Sequence, residues 1–396
     1  MKFRLLLLTL LVPALLCCQP NVTPDDPDDP TPEQPDNPTP PDPEPDEDLP
    51  PEIKNGDTVL ATNADIEEFI TTVNYPERDY SETFILNRDC ATAPGKSDLP
   101  PTYCVKWTAD ASQGELTAKL WEGDWSQTFT IDEGEHYFQF TNLRPNADYH
   151  WEVKGSTGKV MSEGAFKTTG HLHHLTFKSR VRNVRDLGGW KTKDGKTVKY
   201  RMVYRGGRLE SGTLTKKGIR DAIAEGIRAQ LDLRGHTSSG SQEYLNECAL
   251  DKSYAFCAPC IEEGYSQLLK DDAPKVKQCF EFIVQCVREN KPVYFHCSLG
   301  RDRTGTISMV CLGILGVDEG DISKEYEITQ FAPHGWATSD GEKTKMTRKV
   351  DYKGAANVIW SYVPEGGSFK DGMEAYLLKI GVSQKDIDDF RALMLE

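Results

Sequence analysis

Cys297 and Arg303 are separated by five residues in the stretch His296-Cys-Ser-Leu-Gly-Arg-Asp-Arg-Thr-Gly305. On a curved loop that spacing sets a thiol and a guanidinium around one tetrahedral anion. The guanidinium can hold two phosphoryl oxygens in a planar fork, which a lysine cannot reproduce. The thiol is a weak nucleophile at an ordinary pKa of about 8.5, so the site must favour the thiolate. Each unit of downward shift represents about 1.4 kcal/mol of preference for the charged form. Val293–Phe295 precede the loop as a short apolar strand. Ile307, Val310, Cys311, Ile314 and Leu315 follow it at helical spacing. The loop Ser298–Arg303 therefore joins the carboxyl end of a strand to the amino end of a helix. Backbone amides converge on an anion at such a junction, and the helix end adds partial positive charge. Ser298, Leu299, Gly300 and Arg301 are the expected phosphate contacts, with Gly300 relieving crowding in the curve.

HCSLGRDRTG resembles the HCxxGxxR[ST]G signature of cysteine-dependent phosphatases, whose members form a cysteinyl-phosphate intermediate. More narrowly, it is similar to the HCxAGKDRTG loop of the bacterial tyrosine/serine phosphatase family. Asn183-Val-Arg-Asp-Leu-Gly-Gly189, Tyr204-Arg-Gly-Gly-Arg-Leu209 and Leu231-Asp-Leu-Arg234 resemble three further segments of that family, in the same order. Leu315–Ile322 with Tyr326 resembles the helix pair after the loop, so the likeness spans roughly 178–396. It implies hydrolysis of a phosphomonoester, with protein phosphotyrosine as the leading substrate in a protein-tyrosine or dual-specificity enzyme. Phosphoinositides or inositol polyphosphates are the alternative with the same mechanism. A non-catalytic phosphate-binding or adhesion protein is the alternative from another class, and intact Cys297, Asp302 and Arg303 speak against it. No metal or organic cofactor is implied, because cysteine supplies the nucleophile while amides and arginine stabilise charge.

The same resemblance assigns expected roles. Cys297 is the nucleophile and Arg303 the clamp on the transferring phosphoryl group. Asp302 occupies the family's aspartate beside the clamp and could protonate the leaving oxygen. Asp232, at the end of a predicted strand, is the other candidate acid, or a partner of Arg234 or Arg205. His296 is expected to orient the cysteine region, and Thr304 to hydrogen-bond the departing thiolate. Asn183, Arg185 and Asp186 look like an inner support for the loop. Arg205 reads either as support or as a second phosphate contact. Arg301 replaces the family's lysine, which leaves a ring-phosphate contact open, and Leu299 replaces a small alanine.

These groups need a scaffold. Helical patterns over Thr215–Glu225 and Pro274–Glu289 lead into strands 227–233 and 292–296. Further helices are expected at 318–330, 355–363, 369–380 and 384–395, the last starting at Ser383. Helix alternating with strand, and a ligand loop at a strand end, predicts an α/β fold with a central sheet flanked by helices. The lysine-rich stretch 339–354 reads as a solvated loop or a basic lip.

Upstream the texture differs. Short Thr-, Val-, Tyr- and Trp-rich runs at 82–87, 101–108, 115–121, 126–131, 136–141, 148–154 and 161–168 predict an antiparallel sandwich. Leu143, Pro145 and Tyr149 resemble the turn before strand F of a fibronectin type III domain, which places such a module at about 80–169. Ala64–Val73 predicts a short amphipathic helix capped by Asn63, whose packing partner the sequence does not decide. Of 11 cysteines, Cys90 and Cys104 could pair within the β-region, and Cys257-Ala-Pro-Cys260 has redox spacing without a zinc partner set.

The chain opens MKFRLLLLTLLVPALLCCQP, which resembles a bacterial lipoprotein signal ending at an acylated Cys18, or at Cys17; an ordinary secretory signal is the alternative. Residues 21–50 carry 11 acidic side chains, 11 prolines and no base, a spacer that cannot bury a core. The net charge of -16 excludes a bulk nucleic-acid binder. The expected organisation is 1–18 signal, 19–50 linker, 51–170 N-terminal region with the β-module, and 171–396 phosphatase. The expected partners are a phosphorylated protein or small phosphoester, and a membrane through the lipid. The expected location is the cell envelope, at the outer membrane, with surface exposure left open.

Overall fold

The computed structural model describes residues 49–75, 98–108, 110–132, 134–177, 181–209, 216–234, 255–257, 265–332 and 352–396. Its first half holds β1 (Thr58–Leu60), α1 (Ala64–Thr72), β2 (Tyr103–Lys106), β3 (Leu116–Glu122), β4 (Trp125–Ile131), β5 (Tyr137–Phe140), β6 (Asp148–Gly155) and β7 (Val160–Thr169). Alternation of buried and exposed residues is clearest in β3 and β6. In β3, Leu116, Ala118, Leu120 and Glu122 are buried while Thr117 and Lys119 face out, as a period of two requires. Five strands form one sheet in the order β1-β7-β6-β3-β4, and β2 pairs with β5 in a second. Val105, Leu120, Phe138, Phe140, Tyr149, Trp151 and Phe166 fill a core of their own. The short β1, which the sequence reading did not anticipate, runs parallel to β7. The expected strand at 82–87 lies outside the described residues, as does Cys90. Cys104 carries a free buried thiol, its Sγ donating to the Pro50 carbonyl at 3.0 Å.

The second half contains β8 (Arg185–Asp186), β9 (Val203–Gly206), α2 (Lys216–Glu225), β10 (Ala229–Asp232), β11 (Ala255–Cys257), α3 (Tyr265–Lys270), α4 (Ala273–Arg288), β12 (Val293–His296), α5 (Asp302–Leu315), α6 (Glu319–Glu327), α7 (Tyr352–Trp360), α8 (Phe369–Lys379) and α9 (Gln384–Met394). The sheet order is β11-β10-β12-β9-β8, parallel except for β8 against β9, so the sheet is mixed. Every residue of β9, β10 and β12 is buried, which follows from helices covering both faces. One face sends Val203, Leu231, Val293 and Phe295 into the main core with α4 and α5. The other sends Tyr204 and Tyr294 against Ile219 and Ala222 of α2. From Thr304 to Leu315, α5 is buried throughout, so this helix is the central post of the domain. It ends at Gly316, whose left-handed φ of 84° glycine adopts without penalty.

α1 packs with the second half. Asn63 caps it, accepting from the amides of Asp65 and Ile66. Ile66, Phe69 and Ile70 join the main core rather than the β-module's core. Phe69 meets Phe331 at 5.7 Å between ring centroids, and Lys324 of α6 donates to the Ile70 carbonyl at 3.0 Å. Cys257 ends β11, while Cys260 and most of the basic stretch 339–354 lie outside the described residues.

Candidate active site

The parallel register aligns Asp232, His296 and Gly206 across the carboxyl ends of β10, β12 and β9. Cys297 follows His296 immediately, and the chain then turns through Ser298–Arg301 into α5. The loop's carbonyls are held from outside the curve. Arg208 N–H donates to the Ser298 oxygen at 3.1 Å, and Asn183 Nδ2 donates to the oxygens of Leu299 and Gly300 at 3.3 and 2.8 Å. Arg205 Nη2 also donates to the Gly300 oxygen. In a trans peptide the N–H points opposite to the C=O, so the amides of Leu299, Gly300 and Arg301 face away from these supports. That is how a backbone anion cradle is made. Gly300 has φ 71°, and a Cβ there would overlap the Gly206 carbonyl and approach Gly207 N to 2.7 Å. Only glycine fits.

Cys297 is buried in the floor of this loop. Burial pushes its thiol up, but the Arg303 charge and hydrogen bonding from the Thr304 hydroxyl and amide outweigh it, so the thiol lies below its ordinary value. The buried Thr304 hydroxyl has no hydrogen-bond partner among the described residues, which leaves it available to the sulfur whose thiolate it favours. Arg303 is half-buried at the first turn of α5. A depressed thiolate, an arginine and a cradle of amides can receive a phosphoryl group and share its charge. The sequence model of the tyrosine phosphatase family matches residues 178–396, more than half of the chain. The chain belongs to the tyrosine phosphatase family.

The phosphatase has curated relatives that point the same way. A tyrosine-protein phosphatase of Nostoc commune is 28% identical over 205 residues, covering 43% of this chain and 68% of its own length. A Cupriavidus necator relative is 24% identical over 176 residues, covering 39% of this chain and 62% of its own. Among solved structures, TpbA of P. aeruginosa is 13% identical, with 46% of this chain and 89% of its own covered, at a TM-score of 0.29, too low to bear on the fold. The enzyme is a cysteine-dependent phosphatase.

Behind the phosphatase's loop stands a buried ionic frame. Glu325 of α6 accepts from Arg185 Nε at 2.8 Å and from Arg205 Nη1 at 3.0 Å. Arg185 also donates to Asn183 Oδ1 and to the Glu325 carbonyl. Thr329 completes the set as acceptor for Asn183 Nδ2 at 3.2 Å. Burial, followed by the Arg205 charge, pushes Arg185 down to about 10. Arg205 is fully buried, so it is a support and not a contact at the pocket rim. Asp186 serves a different turn, accepting from Gly188 N at 2.8 Å and Arg201 N at 2.6 Å.

The two carboxylates considered as acids are both engaged. Asp232 accepts a two-pronged contact from Arg234, at 3.1 and 2.9 Å, and the Arg234 amide at 2.9 Å. Burial pushes its carboxyl up, but His296 and Arg234 prevail and hold it below the ordinary range. Asp302 accepts from Arg301 Nε and Nη2, each at 2.9 Å, and from the Tyr265 hydroxyl. Its side chain remains 23% exposed, against 4% for Asp232. The Arg301 side chain, for which the sequence left a ring-phosphate contact open, is 1% exposed and turns its guanidinium onto Asp302. Ser298 and Leu299 stay half-buried at the loop. His296 is fully buried, its Nε2 lying 2.8 Å from Gln230 Nε2 and its Nδ1 3.2 Å from the Cys297 oxygen. Tyr265, Glu325, Thr329 and Gln230 were not singled out from sequence. Their partners lie on remote elements, and no local pattern announces them.

Proposed function

We propose that this phosphatase acts on phosphotyrosine in proteins by way of a phosphocysteine at Cys297. The observation that carries the reading is the placement of Cys297 directly after β12, in the floor of a loop whose carbonyls Asn183, Arg205 and Arg208 hold outward. The sulfur lone pair attacks phosphorus, the bond to the leaving oxygen breaks, and that oxygen takes a proton. Water then hydrolyses the S–P bond, returning thiolate and inorganic phosphate. Arg303 grips two phosphoryl oxygens through both steps, and Thr304 steadies the thiolate as it departs. Asp302 is the proton donor in this reading. It is the more accessible of the two carboxylates, its side chain 23% exposed against 4% for Asp232, so a leaving oxygen at the loop can reach it. Asp232, forked and buried, remains structural. The inositol-phosphate alternative loses one of its sequence supports once Arg301 is paired with Asp302.

The test compares Asp302→Asn with Asp232→Asn on aryl phosphates of graded leaving-group pKa. Asp302→Asn is expected to lower kcat by about 10²-fold on phosphotyrosine and far less on a phenolate that needs no proton, a typical size for general acid catalysis. Asp232→Asn is expected to change both substrates equally. The reverse pattern would move the acid to Asp232.

Two readings of the first half accompany this one. The β-module is fibronectin type III-like, supported by the Tyr149 hydroxyl accepting the Arg144 amide at 2.9 Å, a bond from strand back to preceding turn. The chain is lipid-anchored in the cell envelope through Cys18, with the acidic spacer holding the enzyme off the bilayer. Mass spectrometry of the mature amino terminus is expected to find an acylated cysteine; an unmodified terminus there would mean a soluble exported enzyme.

A further inference from the structure

The phosphate loop has a support that does not belong to the phosphatase domain. Asn183, whose side chain holds the Leu299 and Gly300 carbonyls, has a backbone φ of 59°. Asparagine tolerates that left-handed conformation better than most residues, but it still needs fixing from its surroundings. The fixing comes from Asp98, whose Oδ2 accepts the Asn183 amide at 3.0 Å. Asp98 is 7% exposed and lies in the segment that leads from α1 toward β2, 85 residues before its partner and well ahead of residue 178, where the family match begins. Burial pushes its carboxyl up, with the Asn183 amide and the Arg185 and Arg182 charges opposing.

The segment carrying Asp98 is itself anchored. Asn63, the cap of α1, donates through Nδ2 to the Leu99 carbonyl at 3.0 Å. α1 is tied to α6 by Lys324 to the Ile70 carbonyl, and the Tyr75 hydroxyl donates to Glu327. α6 also carries Glu325, the acid that holds Arg185 and Arg205. One set of contacts outside the matched domain thus reaches the loop by two routes.

We infer that Asp98 is a positioning residue of the active site, fixing Asn183 so that the Leu299 and Gly300 carbonyls stay turned outward and the loop amides stay aimed at the phosphoryl group. The inference rests on the reading of the Cys297 loop as the phosphoryl site. Its consequence is that the chemistry of this phosphatase depends on a residue supplied by the segment before its own domain. A loop that drifts loses more with the transition state than with the ground state, because its amides meet the equatorial oxygens most closely during transfer.

The experiment uses the full chain with Asp98→Ala and Asp98→Asn. The readouts are kcat on p-nitrophenyl phosphate and the affinities for vanadate, a transition-state mimic, and for inorganic phosphate, each on protein shown to be folded by near-UV circular dichroism. Asp98→Ala leaves a buried N–H without its acceptor and is expected to lower kcat and vanadate affinity by about 10-fold or more, with a smaller loss for phosphate. Asp98→Asn keeps an acceptor oxygen and is expected to lose about 3-fold in the same two quantities. If the alanine variant does not fold, the asparagine variant decides alone. Wild-type kcat and vanadate affinity in either folded variant overturn the inference, as does an equal loss of vanadate and phosphate affinity. A Cys297→Ser enzyme that still turns over would instead overturn the reading of the site, so the two failures are told apart.

Discussion

Replacing Cys297 with serine is expected to abolish measurable turnover, a loss of at least about 10⁴-fold, as for other enzymes stripped of a covalent nucleophile. Melting temperature should hold, because serine differs from cysteine by one atom and the site already offers the Thr304 hydroxyl and amide as partners. In the wild type the Arg303 charge and the Thr304 groups overcome burial and keep the thiol below its ordinary value. A hydroxyl starts several units higher, and the same field cannot ionise it near neutrality. Rapid acid quench of the wild type with labelled substrate should trap phosphate on sulfur. Alkylation of Cys297 against pH should show its midpoint below that of a free thiol. The sign follows: a depressed pKa keeps the thiolate present to lower pH, and reactivity is lost only as pH falls through the lowered value. Turnover by the serine variant at the wild-type rate would eliminate phosphocysteine as the intermediate.

The loop was readable in sequence because everything that makes it is local. Strand, cysteine, glycine, arginine and helix follow one another within a single stretch, so spacing alone places the thiol at the junction of β12 and α5. The supports were readable only in half. Asn183 and Arg185 stand in a recognisable segment, but their partners Glu325 and Thr329 sit 140 and 146 residues away. Glu325 lies in the run Glu-Gly-Asp-Ile-Ser-Lys-Glu-Tyr-Glu, which reads as a solvated helix face. Nothing in that run marks which carboxylate turns inward. Arg301 is the opposite case: a basic residue in a phosphate loop leaves a substrate contact open, and only the fold shows its guanidinium forked onto the neighbouring Asp302. α1 showed an apolar face and a cap, but amphipathicity states that a helix packs and not against what. Asp98 had no signal at all. A lone aspartate on an irregular segment becomes meaningful only when folding brings it to an amide 85 residues on.

Glu325→Gln is expected to destabilise the protein by about 3–5 kcal/mol, the usual cost of removing one partner from a buried ion pair. In a domain of this size that corresponds to a fall in Tm of roughly 10 °C. Glu325 is 1% exposed and is the acid shared by Arg185 and Arg205, which are equally buried. With Glu325 present, burial and the Arg205 charge already push Arg185 down to about 10. Glutamine keeps the shape and one acceptor oxygen but removes the opposing charge, so near neutrality two guanidiniums would share a low-dielectric site without an anion between them. The contrast is Lys385→Ala, which removes an ion pair to Asp389 whose lysine is 74% exposed; solvent screens that pair, so its loss should leave the melt unchanged. Turnover should fall with stability in Glu325→Gln, because Arg205 is held by Glu325 while it grips the Gly300 carbonyl. Thermal melts of both variants, with kcat taken well below the lower melting point, separate the two effects. Equal melting temperatures for Glu325→Gln and wild type would mean that the frame behind the loop is held by its hydrogen bonds rather than by charge.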